Sequence, residues 1–421
     1  MMTEASPSLN RVPLAARPPV QSRNRPAATS FAVPHGKIAP VKNDRGFFLA
    51  MVSMLLALGV LMVHSASMTS HPSQSEQIYL SRHMLFLTVG IAAGFVVSML
   101  PAQLIERAAP YFFGLVIGLL VLVVIPAMGT EVNGARRWLR LGSVTIQPAE
   151  LAKLALPLFL ARLMIHLRSQ NRRWGRGLML PCLPAAVVVP LVMCQPDLGT
   201  ALFLAAGCGI LLFIARWPLR NFALMAAATI PGLAYLVVHR PYQLQRITGF
   251  VAAWTDPSSA PYQLKQSLLT LGAGGLQGAG LGRGWQKLSF LPEANTDFVF
   301  AVIGEELGLI GTLVVVALWI GLYAFGLRLF AHQDRDSFAY LAGVTLLTQI
   351  VLQAAINVAV VTAMVPPKGI PHPLMSYGGS NLVTTLMAIG LLVSFSRTPA
   401  TAIAVSEKNE TDFARPPARA A

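Results

Sequence analysis

FFLAMVSMLLALGVLMVHSA, residues 47–66, runs for twenty residues without a lysine, arginine, aspartate or glutamate. At 1.5 Å per residue, a helix of that length covers about 30 Å, the hydrocarbon thickness of a bilayer. The run is continuously apolar rather than alternating, so a helix and not a barrel strand satisfies its backbone in lipid. Further apolar stretches fall near 84–101, 110–128, 148–167, 177–194, 198–215, 220–238, 298–327, 337–363 and 379–397. The expected fold class is all-α: a polytopic membrane bundle of about ten transmembrane helices. Composition agrees, with 54% of the 421 residues apolar and 12% charged, about half the charged share of a soluble domain.

Residues 1–45 are rich in Pro, Ser, Arg and Ala, without apolar periodicity, and read as a disordered basic tail. The run at 47–66 is too long for the apolar part of a cleavable signal and reads as an uncleaved anchor. The membrane domain is expected over 46–398 and a second tail over 399–421. Ten spans place both ends on one side. With the first tail inside, twenty of the 32 Lys and Arg residues fall in cytoplasmic segments and ten outside, while Lys153 and Arg162 lie within spans. That bias predicts two cytoplasmic termini. Arg168, Arg172, Arg173 and Arg176 form its strongest marker. The net charge of +15 therefore points to a membrane surface and not to nucleic acid, since no basic patch is interleaved with aromatics. Cys182, Cys194 and Cys208 are too few and too scattered for a disulfide framework or a zinc site.

Between the seventh and eighth spans lies a connection of unusual length, residues 239–297. Its Trp254, Tyr262, Trp285 and Phe290 favour a folded loop lying along the membrane surface. Its glycine-rich run, Gly272 to Gly284, matches no nucleotide fingerprint and reads as a flexible segment.

Ionisable groups in or beside spans are costly and mark candidate sites. Four segments qualify. In Gln147-Pro148-Ala149-Glu150-Leu151-Ala152-Lys153, Glu150 and Lys153 share a helix face. Arg137, in the preceding loop, can reach the same mouth. This cationic group suits a phosphate, or else is a structural ion pair with an interfacial anchor. Asp197, in Gln195-Pro196-Asp197, reads as a helix cap. Asp297 lies where the long connection re-enters the membrane, with Glu305 two turns further and about 12 Å deeper. A half-desolvated carboxylate there suits a general base; a helix cap is the alternative. Finally, Pro366 to Pro371 with Lys368, then Ser376 to Asn381 with Ser380, read either as an anion-binding concavity or as a rigid turn and cap. Gln349, Gln353 and Asn357 form one polar stripe that reads as interhelical glue.

Several segments together resemble the SEDS family (shape, elongation, division, sporulation): NGARRWLRLG at 133–142, QPAELAKL at 147–154, QPDLGTAL at 195–202, the stretch from Pro261 to Gly311, and PHPLMSYGGSN at 371–381. The stretch Gly278 to Lys287 is closer to the division and sporulation branches than to the elongation branch. The resemblance implies a peptidoglycan glycosyltransferase of the bacterial inner membrane, polymerising lipid II at the division septum. It implies a class B penicillin-binding protein and other division proteins as partners. Asp297 matches the family's catalytic aspartate; Arg137, Glu150, Lys153, Lys368 and Ser380 match polar residues near the reaction site. Asn295 replaces the usual family histidine and cannot titrate. No cofactor is firmly implied; a divalent cation, Mg2+ or Mn2+, is the candidate that a diphosphate leaving group admits. Two other classes of function fit an intramembrane polar protein. One is a lipid II flippase, although no Gly/Pro-broken helix pair of the transporter kind is present. The other is a division scaffold without chemistry.

Overall fold

The computed structural model describes residues 43–66, 74–132, 134–142, 144–167, 176–239, 241–256, 260–285 and 290–397. All belong to the unit Pro40–Ala421. The expected tails over 1–45 and 399–421, apart from residues 43–45, lie outside the described residues, as do Arg168, Arg172 and Arg173.

The described chain opens with α1 (Asp44–Ala66), α2 (Gln74–Met99) and α3 (Ala102–Val124). Three short strands follow: β1 (Gly129–Val132), β2 (Ala135–Leu141) and β3 (Val144–Ile146). Next come α4 (Pro148–His166), α5 (Arg176–Met193), α6 (Leu198–Ile214) and α7 (Leu219–Val238). The long connection holds α8 (Pro241–Thr255) and α9 (Tyr262–Ala273), and α10 (Val299–Arg328), α11 (Phe338–Val361) and α12 (Gly379–Phe395) complete the bundle.

α1, most of α2, α3, α10 and α11 are long and apolar enough to cross a membrane, and α5, α6 and α12 are shorter apolar helices. Phe95, Val96, Tyr111, Leu115 and Ile320 point outward, an apolar exterior that suits a lipid solvent. The protein is a multi-pass helical membrane protein. α11 is its innermost long span, with 61% of its apolar stretch buried against 22–33% in the other four. α12 packs along α2, and α1 along α10.

Two starts differ from the apolar pattern. α2 begins at Gln74 rather than near 84, and α3 at Ala102 rather than near 110. Their first turns contain Gln, Ser, Glu and Arg, which a reading of apolar continuity passes over. The antiparallel sheet β1-β2-β3 is an addition to the all-helical expectation. Leu139 pairs with Gly129 on one side and Ile146 on the other. Strands of three to seven residues carry too little alternation to stand out.

α10 is not one straight rod. Phe300 stacks on the His372 ring and Trp319 lies tilted against it, with centroids 6.2 Å and 5.6 Å away. Their rings are thus at most about 12 Å apart, whereas nineteen residues of straight helix separate them by about 28 Å. A Cβ on Gly304 would likewise touch Thr312 at 3.5 Å. The chain folds back at Gly308, where φ is 67° and ψ is −164°, a conformation that glycine adopts without strain. A straight helix would pair Leu309 N–H with Glu305 C=O and Ile310 N–H with Glu306 C=O. Here the same four groups bond to the glycine-rich run instead. Leu309 donates to Gly275 (2.9 Å) and Ile310 to Leu276 (3.3 Å), while Ala279 donates to Glu305 (2.9 Å) and Gly280 to Glu306 (3.0 Å). The run expected to be flexible is therefore a docked backbone brace. Its glycines permit the approach: a Cβ on Gly278 would lie 2.2 Å from the Glu306 carbonyl oxygen.

Arg328 pairs with Asp44 at 3.7 Å, and Ser65 donates to Glu306 at 2.6 Å. α1 and the second leg of α10 thus run antiparallel with matched ends. Glu305 and Glu306 lie at the end where α1 finishes, called the mouth below. The expected position of Glu305, about 12 Å deeper than Asp297, is corrected. The first leg, Val299–Leu307, runs from beside mid-span Trp319 back up to the mouth, so Glu305 is at its outer end. The segment before α12 also dips inward. Leu374 and Met375 press on Gly59, six residues and about 9 Å inside Ser65.

Candidate active site

The turn that delivers Asp297 is built around Glu293, whose φ is 57°. The Glu293 carbonyl accepts from Thr296 N–H and Phe298 N–H, both at 3.1 Å, and its Oε2 accepts the Thr296 hydroxyl at 2.7 Å. The N-cap position of α10 is Phe298, with no side-chain cap. Among the described residues the Asp297 carboxylate accepts no hydrogen bond, so it does not cap the helix. The backbone is pinned instead. Asn357 Nδ2 donates to the carbonyls of Asp297 and Ile370, each at 2.8 Å. Ser376 Oγ donates to Thr296 O, and Tyr377 N–H to Asn295 O at 2.8 Å. Two inserted segments, 292–298 and 366–378, are thereby held together by α11.

Around the free carboxylate stand charges from four other elements. Gly369 backs it so closely that a Cβ there would lie 3.3 Å from Oδ2. Lys368 rests on Gly199 at the start of α6. Asp197 caps α6 as expected, through Thr200 N–H at 3.1 Å and the Thr200 hydroxyl at 2.9 Å. Arg137, from β2, donates to Gln195 O (3.1 Å) and Pro196 O (2.5 Å) and lies 3.8 Å from Asp197 Oδ2. Burial pushes the Asp297 carboxyl up to about 7; Glu293 adds to the rise, Arg246 opposes it and Asp197 adds a smaller part. Burial also lowers the Lys368 ammonium from its ordinary value.

A second cluster lies in an adjoining pocket. Lys153 Nζ donates to Glu150 Oε1 (2.8 Å) and Oε2 (2.9 Å) and to Gln353 Oε1 (3.1 Å), and lies 5.2 Å from the Phe203 ring. Gln353 Nε2 reaches Pro371 O (2.9 Å) and Asn381 Oδ1 (3.1 Å), which ties this pocket to the inserted loop. Ser380 Oγ accepts from Gln147 N–H at 3.1 Å. The cavity below Lys153, about 30 Å³, has room for about two waters.

The expected residues thus fall into two neighbouring groups. Asp297, Lys368 and Arg137 share the first; Glu150, Lys153 and Ser380 share the second. Arg137 turns to the α5–α6 corner and not to Glu150, which corrects that expectation. Glu305 accepts Trp285 N–H at 2.7 Å and braces the loop. Gln353 and Asn357 are glue, as their stripe suggested. Arg246 and Glu293 were not singled out in the sequence. The only signal for Arg246 was that it is the one charge in α8. Among the described residues no three His, Cys, Asp or Glu side chains converge on a cation site. No step below passes through a metal.

A buried carboxylate with no hydrogen-bond donor among the described residues, set between the acids Glu293 and Asp197 and the cation Arg246, defines an acid–base site in a polytopic membrane protein. A family profile described as Cell cycle protein, covering FtsW, RodA and SpoVE, matches residues 46–400. The chain is 41% identical over 351 residues to the probable peptidoglycan glycosyltransferase FtsW of Halorhodospira halophila, covering 82% of this chain and 88% of that one. It is 35% identical over 363 residues to the stage V sporulation protein E of Bacillus subtilis, covering 85% and 98%. Among solved structures it is similar to a chain from "Structural coordination of polymerization and crosslinking by a peptidoglycan synthase complex". That match has a TM-score of 0.69 and 29% identity, over 85% of this chain and 98% of that chain. It is similar also to the Thermus thermophilus rod shape determining protein RodA, with a TM-score of 0.62 and 30% identity over 85% and 97%. The chain belongs to the FtsW/RodA/SpoVE family of cell cycle proteins.

Proposed function

We propose that this protein is a peptidoglycan glycosyltransferase that polymerises lipid II into glycan strands. The observation that carries the reading is Asp297: a carboxylate that does not cap α10, is pushed by burial up to about 7 and has the Arg246 cation acting on it. In the reaction, Asp297 takes the proton of the acceptor sugar's 4-hydroxyl. The freed oxygen pair forms a bond to the donor's anomeric carbon. The bond from that carbon to undecaprenyl diphosphate breaks, and its electron pair leaves with the diphosphate. A single displacement inverts the anomeric centre. The diphosphate's growing charge needs cations placed in advance. Arg137, Lys153 and Lys368 fill that role, with Glu150 holding Lys153 and Ser380 fixing the sheet to α12. The likeness to a structure of a polymerising and crosslinking complex supports a class B penicillin-binding protein as partner, and the Cell cycle protein family match supports division as the setting. Purified protein, incubated with labelled lipid II with and without that partner, is expected to yield polymer. Wild-type protein that flips lipid II in vesicles yet yields no polymer would overturn the reading.

The same proposal places ten helices, α1 to α7 and α10 to α12, across the inner membrane with both termini cytoplasmic. Residues 239–297 would then enter from the outer side, with Asp297 at the inner end of that connection. A reporter inserted after Asp334 is expected to read cytoplasmic and one after Asp256 external. The opposite pattern would reverse the orientation.

A further inference from the structure

α8 carries a single charge. Leu244, Ile247, Val251 and Trp254 are exposed along one face, at steps of three and four. Arg246 leaves that face, and its Nη1 donates to Pro367 O at 3.1 Å. Pro367 is two residues from Gly369, which backs Asp297 Oδ2. The charged groups facing Asp297 are Glu293 on its own turn, Asp197 at the start of α6 with Arg137 of β2 upon it, Lys368 on the inserted loop, and Arg246 on α8. Arg137 is turned towards Asp197 and the α5–α6 carbonyls, and the Lys368 carbonyl and Cβ lie against Gly199.

We propose that Arg246 is a positioning residue for the transfer, holding the Pro367–Gly369 wall against Asp297 and supplying that carboxylate's counter-charge from α8. The proposal rests on Asp297 being the base. A base must be ionised when the acceptor arrives, and two acids, Glu293 and Asp197, act against that. An opposite charge close by favours the ionised form by about one pH unit or more. Arg246 does this from α8, so the placement of α8 and the state of the base are physically joined.

The test uses the full-length protein with its crosslinking partner and lipid II. kcat and KM are measured from about pH 5.5 to 9 for wild type, Arg246→Gln, Arg246→Lys and Glu293→Gln. Removing the cation is expected to move the rising limb of kcat up by about one pH unit. The rate below the limb should fall about tenfold, while the rate at high pH recovers in part. Arg246→Lys should return the limb close to its wild-type position. Glu293→Gln should move it down. A uniform loss in Arg246→Gln with an unmoved limb would reduce Arg246 to structural support and overturn the proposal. A change in KM alone would do the same. Should wild type show no limb near neutrality while Asp297→Asn stays active, the reading of Asp297 itself has failed, which is a separate result.

Discussion

Asp297→Asn is expected to lower lipid II polymerisation by about two to four orders of magnitude, the usual contribution of a general base. Asparagine keeps the size and caps helices about as well as aspartate, and α10 takes no cap from this position in any case. Binding of lipid II and of the partner should persist. In wild type the rate should climb as pH rises through about 7, because only the ionised carboxylate accepts the proton. The effect on stability has the opposite sense. Asp297's folded-state pKa is raised, so the folded protein disfavours the ionised form. This group therefore costs stability once pH exceeds the ordinary carboxylate range, reaching its full cost above about 7. The asparagine variant should melt no lower than wild type at pH 8. Near-normal polymer from Asp297→Asn, with wild type active alongside, would remove Asp297 from the mechanism. A transporter predicts something else: no polymer from wild type in detergent, and a mutant defect confined to flipping in liposomes.

Lys153→Met has the second largest expected effect, about two to three orders of magnitude in kcat, the scale of a lost charge stabiliser. A confound must be separated. Glu150 is 4% exposed, and removing its cation strands a buried carboxylate, which destabilises by about 3–5 kcal/mol. The double change Glu150→Gln with Lys153→Met removes both charges and should recover the melting temperature. Polymerisation should stay low in the double variant if the ammonium serves the diphosphate. Substantial activity there would make Lys153 a structural partner of Glu150 and nothing more.

Much of the bundle was legible because apolar continuity over about twenty residues is a strong physical signal. The polar starts of α2 and α3 were not, since they lie beyond the lipid-matched stretch. The α10 hairpin was hidden for a plainer reason. Residues 299–328 are apolar on both sides of Gly308, and hydropathy records composition but not direction. The contact of Phe300 and Trp319 with one imidazole reveals the reversal. The site residues were visible as charges on an apolar background, which is how Asp297, Glu150 and Lys153 stood out. Their grouping was not visible. Arg137 lies ten to sixteen positions before the Gln147–Lys153 segment, yet it bonds to the α5–α6 corner. Arg246 reaches the site across 121 positions of chain to Pro367. Such pairings depend on loops whose course the residue types do not dictate.

The fold-back at Gly308 gives the base a lever arm. The leg from Val299 to Leu307 is about 13 Å long, pivoted at one residue and loaded at its far end with Asp297. A rotation of about 10° at that pivot sweeps the far end through about 2 Å. Misplacement by about 1 Å can already cost a hundredfold in rate. The four hydrogen bonds of the glycine-rich brace fix the pivot end of this arm, and the bonds from Asn357, Ser376 and Tyr377 fix its loaded end. Loosening either clamp is therefore expected to lower the rate of glycan synthesis with every catalytic side chain still present.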